Sequence, residues 1–197
     1  MKENRTMADS QHKLIIITAP SGAGKTSITH YLLKKYPRLS FSISAATRNP
    51  RAGEKQGEDY YFISEADFRQ KIDDEAFLEW EMVYEGKYYG TLKSELDRIW
   101  LLGKIPMLDI DVKGAIHVQA QFGKNCLSIF IEPPSVDELR KRLESRGTET
   151  PETLAVRVSK ASYEISFNHH FNKTIVNDNL ANACLDTEVV IKDFLGW

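Results

Sequence analysis

Short apolar runs alternate with amphipathic segments along most of the chain. Residues 14–18 read LIIIT, and such a run is typical of a strand buried on both faces of a parallel sheet. Beyond a glycine-containing turn, apolar positions recur at helical spacing from Ile28 to Tyr36, until Pro37 ends the pattern. This part of the chain therefore predicts a strand, a loop and a helix.

The same alternation returns in the second half of the chain. A helix is predicted over residues 92–102, and another begins at Leu180. Further strands are predicted at residues 39–43, 107–110, 126–131 and 174–177. Five strands separated by helices indicate a doubly wound α/β fold around a five-stranded parallel sheet. Ligands bind beyond the carboxyl ends of such strands.

Residues 44–91 carry a different pattern. They open with a loop rich in charge, Gly and Pro, and continue into short strands and a helix capped by Ser64. We therefore expect a small α+β lobe inserted into a core formed by residues 12–43 and 92–197.

Composition excludes several classes of protein. The 197 residues suit a single domain, and 26 basic against 28 acidic residues indicate neither a nucleic-acid nor a membrane partner. Cys126 and Cys184 lie too far apart for a zinc spacing and fit a reducing compartment. Residues 1–11 are polar and lack the apolar segment of a signal peptide. We expect them to form a flexible tail, and we expect a cytoplasmic protein.

The turn after the first predicted strand matches a phosphate-binding loop. Residues 19–26 read APSGAGKT, which fits the P-loop pattern except for alanine at the first glycine. Its backbone N–H groups can face a phosphate chain, while Lys25 reaches the outer phosphates. The residues predicted to bind ATP here are Pro20, Ser21, Gly22, Ala23, Gly24, Lys25, Thr26 and Ser27. The alternative is a glycine-rich turn with a solvated lysine, which the flanking strand and helix disfavour.

Two aspartates stand at the end of the predicted strand 107–110. A carboxylate at this position can hold Mg²⁺ opposite a P-loop hydroxyl. We predict that Thr26 and Asp109 bind the metal, and Asp111 lies beside them. The alternative is an ordinary turn at a strand end.

Arginines indicate a second phosphate site and a lid. Arg48 and Arg51 can form a fork around a phosphate, to which Tyr60 adds a hydroxyl, and a nucleoside monophosphate fits such a site. Arg146 and Arg157 flank a turn between two predicted helices, which suits a lid over about residues 138–160. The residues predicted to act in catalysis are Lys25, Arg48, Arg146 and Arg157.

The chain resembles the guanylate kinase family over residues 14–194. The stretch TRNPRAGE at residues 47–54, continuing through Gly57 to Tyr60, resembles the GMP-phosphate fingerprint of that family. The resemblance extends to Tyr89-Gly90 and to the Val176-Asn177-Asp178 segment. Departures are Ala19 in the P-loop, Ala46 in place of the usual Thr, and Thr91 in place of the frequent Ser.

The resemblance implies a substrate and a set of contacts. It implies a P-loop NTPase fold with a helical lid, and reversible Mg²⁺-dependent transfer of the γ-phosphoryl group from ATP to GMP, with dGMP as a further acceptor. Arg48, Arg51, Tyr60 and Tyr89 would hold the GMP phosphate. Ser44, Glu79, Thr91 and Asp111 would face guanine, with Asp109 nearby, and Asn177 would lie near adenine. A monomer or a homodimer is expected.

Two other functions remain open at this point. Guanylate-kinase-like modules that only bind partner proteins resemble this fold, but they usually lack an intact P-loop. A P-loop kinase for another phosphorylated acceptor would not need Glu79, a carboxylate that can accept both the N1–H and the 2-amino group of guanine.

Overall fold

The computed structural model describes residues 12–145, 147 and 150–197. Its strands, β1 to β9, span Leu14–Thr18, Leu39–Phe41, Ala45–Ala46, Tyr61–Phe62, Phe77–Tyr84, Lys87–Leu92, Ile105–Asp109, Cys126–Glu132 and Lys173–Val176. Its α-helices, α1 to α7, span Lys25–Lys35, Glu65–Asp73, Lys93–Leu101, Val112–Phe122, Val136–Ser145, Pro151–Ile165 and Leu180–Leu195. No helix in these described ranges is both long and apolar enough to cross a membrane. The predicted tail, residues 1–11, lies outside them.

Five strands form a parallel sheet in the order β2-β7-β1-β8-β9. Every residue of β1 is buried, and successive side chains point to opposite faces. Ile15 and Ile17 pack with α1 and α7 on one face, while Leu14 and Ile16 pack with α3 and α4 on the other. Helices therefore cover both faces of the sheet, and the predicted α/β fold is confirmed.

A second sheet has the order β4-β3-β6-β5 and lies within residues 45–92. Its small core contains Ala45, Phe68, Phe77 and Tyr88, and the Phe68 and Phe77 rings stack with centroids 4.2 Å apart. Ser64 caps α2, because its hydroxyl accepts a hydrogen bond from the Asp67 N–H at 3.0 Å.

The strand predicted over residues 39–43 ends earlier, at Phe41. The Ser42 N–H still donates to the Met107 carbonyl of β7 at 2.9 Å, and the Ile43 N–H donates to Glu95 Oε1 on α3 at 3.0 Å. The chain thus leaves the first sheet at this point and enters the second.

Candidate active site

The predicted phosphate-binding loop joins β1 to α1. Gly22 and Gly24 have φ of 95° and 97°, a left-handed conformation that favours glycine. The Ala23 N–H donates to the Pro20 carbonyl at 3.1 Å and closes the turn. The loop therefore ends at the N-terminus of a helix that begins at Lys25, where backbone N–H groups favour an anion.

Asn177 supports this loop from behind. Its side chain is buried, and Nδ2 donates to the Ala23 carbonyl at 2.7 Å. A Cβ on Gly24 would collide with the same Nδ2 atom, so the loop and the asparagine fit only with glycine there. Asn177 does not line the cleft described below. The structure thus places it beneath the loop, and contact with adenine stays a prediction.

A cleft of about 650 Å³ lies between the loop, the second sheet and α6. It brings together residues that the sequence separates widely. The predicted site residues on its wall are Pro20, Ser21, Gly22, Gly24, Lys25, Thr26, Ser27, Ser44, Arg51, Tyr60, Glu79, Tyr89, Asp109, Asp111 and Arg157. The predicted residues Ala23, Arg48, Thr91 and Asn177 are not on this wall, and Arg146 lies outside the described residues.

Lys25 and Asp109 form an ion pair on the cleft wall. Parallel pairing of β1 with β7 sets Ile17 opposite Asp109, which brings the loop next to the end of β7. Asp111 has a different local role: it caps α4 by accepting the Gly114 N–H at 2.7 Å. The two aspartates therefore differ, and only Asp109 pairs with the loop lysine.

Glu79 is a partly buried carboxylate on the cleft wall. Its Oε1 accepts the Thr91 N–H at 2.9 Å. Burial raises the pKa of Glu79, hydrogen bonding to Thr91 lowers it, and the nearby charge of Asp111 raises it further, with a net upward direction. Gly114 leaves room for this side chain, since a Cβ there would lie 2.8 Å from Glu79 Oε2.

Arg48 lies behind the cleft wall, where its guanidinium is fully engaged. Its two terminal nitrogens donate hydrogen bonds to the Glu54 carboxylate at 2.5 and 2.7 Å, and its Nε donates to the Tyr89 hydroxyl at 3.1 Å. The hydrogen bond from Arg48 lowers the pKa of Glu54 to about 2. The Arg48 guanidinium also covers the Tyr60 ring, 4.9 Å from its centroid. Arg51 is the member of the predicted fork that reaches the cleft.

Helix α6 brings charged side chains to the opposite wall. Arg157 Nη1 donates to Ser21 Oγ in the phosphate-binding loop at 2.9 Å. Lys160 and Glu164 follow at helical spacing, with their charged atoms 3.7 Å apart, and both line the cleft. Burial raises the pKa of Glu164, and this effect outweighs the attraction of Lys160 and Lys25, which lowers it.

Sequence reasoning missed Glu81, Lys160 and Glu164 on the cleft wall. The repeat of side chains along a strand and along a helix would have indicated these residues. Glu81 follows Glu79 by two positions on β5, and alternate strand residues share a face. Lys160 and Glu164 follow Arg157 by three and seven positions, which places all three on one face of a helix.

The chain matches known proteins along most of its length. The family model described as guanylate kinase matches residues 11–194. The guanylate kinase of Bacteroides fragilis is 47% identical over 184 residues, which cover 93% of this chain and 90% of that protein. The guanylate kinase of Chlorobium chlorochromatii is 46% identical over 184 residues, covering 93% and 96%. A crystal structure of guanylate kinase from Anaplasma phagocytophilum superposes with a TM-score of 0.74 at 27% identity, covering 95% of this chain and 88% of that chain. The chain therefore belongs to the guanylate kinase family.

Proposed function

We propose that this chain transfers the γ-phosphoryl group of ATP to GMP, giving ADP and GDP. The observation that carries this proposal is that one cleft contains both a phosphate-binding loop and, facing it, Arg51, Tyr60 and Glu79. One side suits a nucleoside triphosphate, and the other suits a monophosphate with a hydrogen-bonding base. Transfer between two nucleotides uses both sides of the cleft.

The phosphate-binding loop holds the donor in this proposal. Its N–H groups and the N-terminus of α1 favour the phosphate chain, and the Lys25 ammonium moves from Asp109 to the outer phosphates. Arg157 already reaches Ser21 of the loop from α6, so it can contact the same phosphates. We assign Arg146 a similar contact from the family pattern. Asn177 keeps the loop in this shape.

Magnesium fits the oxygen atoms offered at the loop. Thr26 supplies a hydroxyl and Asp109 a carboxylate, both on the cleft wall. Within the described residues no group of three or more His, Cys, Asp or Glu side chains could hold a metal. That accords with an ion that binds one or two protein oxygens and takes the rest from water and phosphate. When bound, Mg²⁺ neutralises charge on the phosphates during transfer.

The second sheet and its loops hold the acceptor in this proposal. Arg51, Tyr60 and Tyr89 contact the GMP phosphate, while Arg48 fixes both tyrosines and adds positive charge. The acceptor phosphate oxygen is already anionic, so no general base is required and the main barrier is charge repulsion. We assign GMP binding to a lobe of residues 44–91 and closure over both nucleotides to a lid over about residues 138–160.

In this proposal Glu79 recognises the guanine base. Its carboxylate can accept the N1–H and the 2-amino group of guanine together, with Ser44 donating to O6. Adenine lacks both of those donors and would leave the partly buried carboxylate with only the Thr91 N–H as a partner, which costs about 1–3 kcal/mol. We also propose dGMP as an acceptor, since these contacts involve only base and phosphate.

Purified protein tests the proposal directly. ADP release is measured with ATP and Mg²⁺ against GMP, dGMP, AMP, CMP, UMP and dTMP, and GDP is confirmed by chromatography. We expect strong turnover with GMP. A folded protein that turns over none of these monophosphates would contradict the proposal and favour a protein-binding module.

Gly114→Ala should weaken GMP binding without unfolding the protein. The added methyl would lie 2.8 Å from Glu79 Oε2, and the carboxylate is the more easily displaced of the two groups. We expect the KM for GMP to rise about tenfold, as for one weakened hydrogen bond to a charged group. The KM for ATP should not change. Lys113→Ala, an exposed neighbour on α4, is the control. Equal KM values for GMP in the two variants would disprove the effect.

The KM for GMP should also depend on pH through Glu79. Because burial raises the Glu79 pKa, protonation begins at a higher pH than for an ordinary glutamate, and a protonated carboxyl accepts guanine less well. Between about pH 8 and about pH 5 we expect the KM of the wild type to rise toward that of Glu79→Gln. The variant corrects for titration of the GMP phosphate, which both proteins share. A KM ratio that stays constant with pH would contradict this.

A further inference from the structure

Glu95 is a buried carboxylate outside the cleft. It lies on α3, and its side chain is 1% exposed. Oε1 accepts the Ile43 N–H at 3.0 Å, and Oε2 accepts the Tyr61 hydroxyl at 2.8 Å. Arg98 donates to both oxygens, at 2.8 and 2.9 Å. Burial raises the pKa of Glu95, but these hydrogen bonds lower it to a net value below the ordinary one.

The donors to Glu95 come from separate parts of the fold. Ile43 belongs to the segment that leaves β2 of the first sheet and enters β3 of the second. Tyr61 belongs to β4 of the second sheet, and α3 carries the chain back from β6 to β7. Both chain crossings between the two sheets therefore meet at one carboxylate.

The chain neighbours of these donors line the cleft. Ser44 follows Ile43 and Tyr60 precedes Tyr61, and both lie on the cleft wall. The two segments also contact each other, because the Tyr61 N–H donates to the Ser44 carbonyl at 2.9 Å. Glu95 thus holds the Ile43 backbone next to a residue proposed to contact guanine, and the Tyr61 side chain next to a residue proposed to contact the acceptor phosphate.

We propose that Glu95 is a positioning residue for the acceptor nucleotide. It holds Ser44 and Tyr60 at a fixed spacing and sets the second sheet relative to the first. This inference rests on the proposed function, since it assigns a specific effect on GMP. A carboxylate that only stabilised the fold would affect the donor and acceptor sites alike.

Glu95→Gln tests the inference at nearly constant side-chain volume. A glutamine has one acceptor oxygen and one NH₂ group. In one orientation the Ile43 N–H loses its acceptor, and in the other the Tyr61 hydroxyl can no longer donate and has to accept instead. We expect the KM for GMP to rise about tenfold, equivalent to about 1.4 kcal/mol. The KM for ATP and the kcat at saturating GMP should stay within about twofold of wild type, a margin of about 0.4 kcal/mol.

Arg98→Gln is the matched control. It removes the ion pair of Glu95 but leaves the Ile43 and Tyr61 contacts, and the Arg98 side chain is 44% exposed. Its melting temperature should fall while its KM for GMP stays near wild type. Tyr61→Phe removes one positioning contact and should raise the KM for GMP about threefold, less than Glu95→Gln.

An unchanged KM for GMP in folded Glu95→Gln would overturn the inference, as would a parallel rise in the KM for ATP. If Glu95→Gln does not fold, Tyr61→Phe decides between the same outcomes. Loss of the proposed function would be seen separately, because the wild type itself would then show no GMP-dependent turnover.

Discussion

Lys25→Ala is expected to lower kcat by about a thousandfold or more, the scale of a single cationic contact to a transferring phosphoryl group. Lys25 begins α1 at the end of the phosphate-binding loop and lines the cleft. The other two lysines of this helix, Lys34 and Lys35, stand in its last turn and cannot take the place of Lys25. The measurement is kcat with saturating ATP, GMP and Mg²⁺.

The fold should survive this substitution. Removing Lys25 leaves Asp109 without that ion pair, but the Asp109 side chain is 28% exposed and can be hydrated. We therefore expect only a small change in melting temperature. Lys34→Ala, an exposed lysine on the same helix, should keep kcat within about twofold of wild type. A Lys25→Ala enzyme that retains a tenth of wild-type kcat would remove the proposed role.

The fold could be predicted where a local pattern determines the structure. The apolar run at 14–18 is the central strand, and Pro37 follows the helix that it was predicted to end. The strand predicted at 39–43 was wrong at its end: β2 stops at Phe41, and the Ile43 N–H donates to Glu95 on a helix. Alternation of side chains reveals burial, but it carries no information on which distant carboxylate accepts from a backbone N–H.

The site residues, like the fold, could be predicted where a local pattern indicates them but not where distant segments come together. The loop residues are contiguous, so their spacing alone indicated a phosphate-binding turn. Glu79 came from the family resemblance, since it alternates along a strand as a surface residue would. Two further contacts depend on how separate segments of the chain pack. One places Gly114 beside Glu79, and the other places the Glu54 carboxylate at the Arg48 guanidinium. These contacts determine where a carboxylate or a guanidinium points, and no periodicity describes them.

Arg48→Ala is expected to lower kcat/KM for GMP by several hundredfold, on the order of two lost charge-assisted contacts. Arg48 holds Tyr89 by a hydrogen bond and covers the ring of Tyr60, so its loss releases two residues assigned to the acceptor phosphate. It also leaves the Glu54 carboxylate without its partner. Glu54 stays ionised at neutral pH even at an ordinary glutamate pKa, and it would then repel the phosphate.

One further substitution separates the effect of the unpaired Glu54 charge from the effect of the released tyrosines. Arg48→Ala combined with Glu54→Gln removes the unpaired negative charge of Glu54. The double variant should therefore recover part of the loss, about tenfold in kcat/KM for GMP. Arg69→Ala, an exposed arginine on α2 paired with Glu65, is the control and should stay near wild type. If the double variant is no better than Arg48→Ala, the loss comes from the released tyrosines alone. If Arg48→Ala itself keeps wild-type kcat/KM, then Arg51 and the tyrosines hold the phosphate without Arg48.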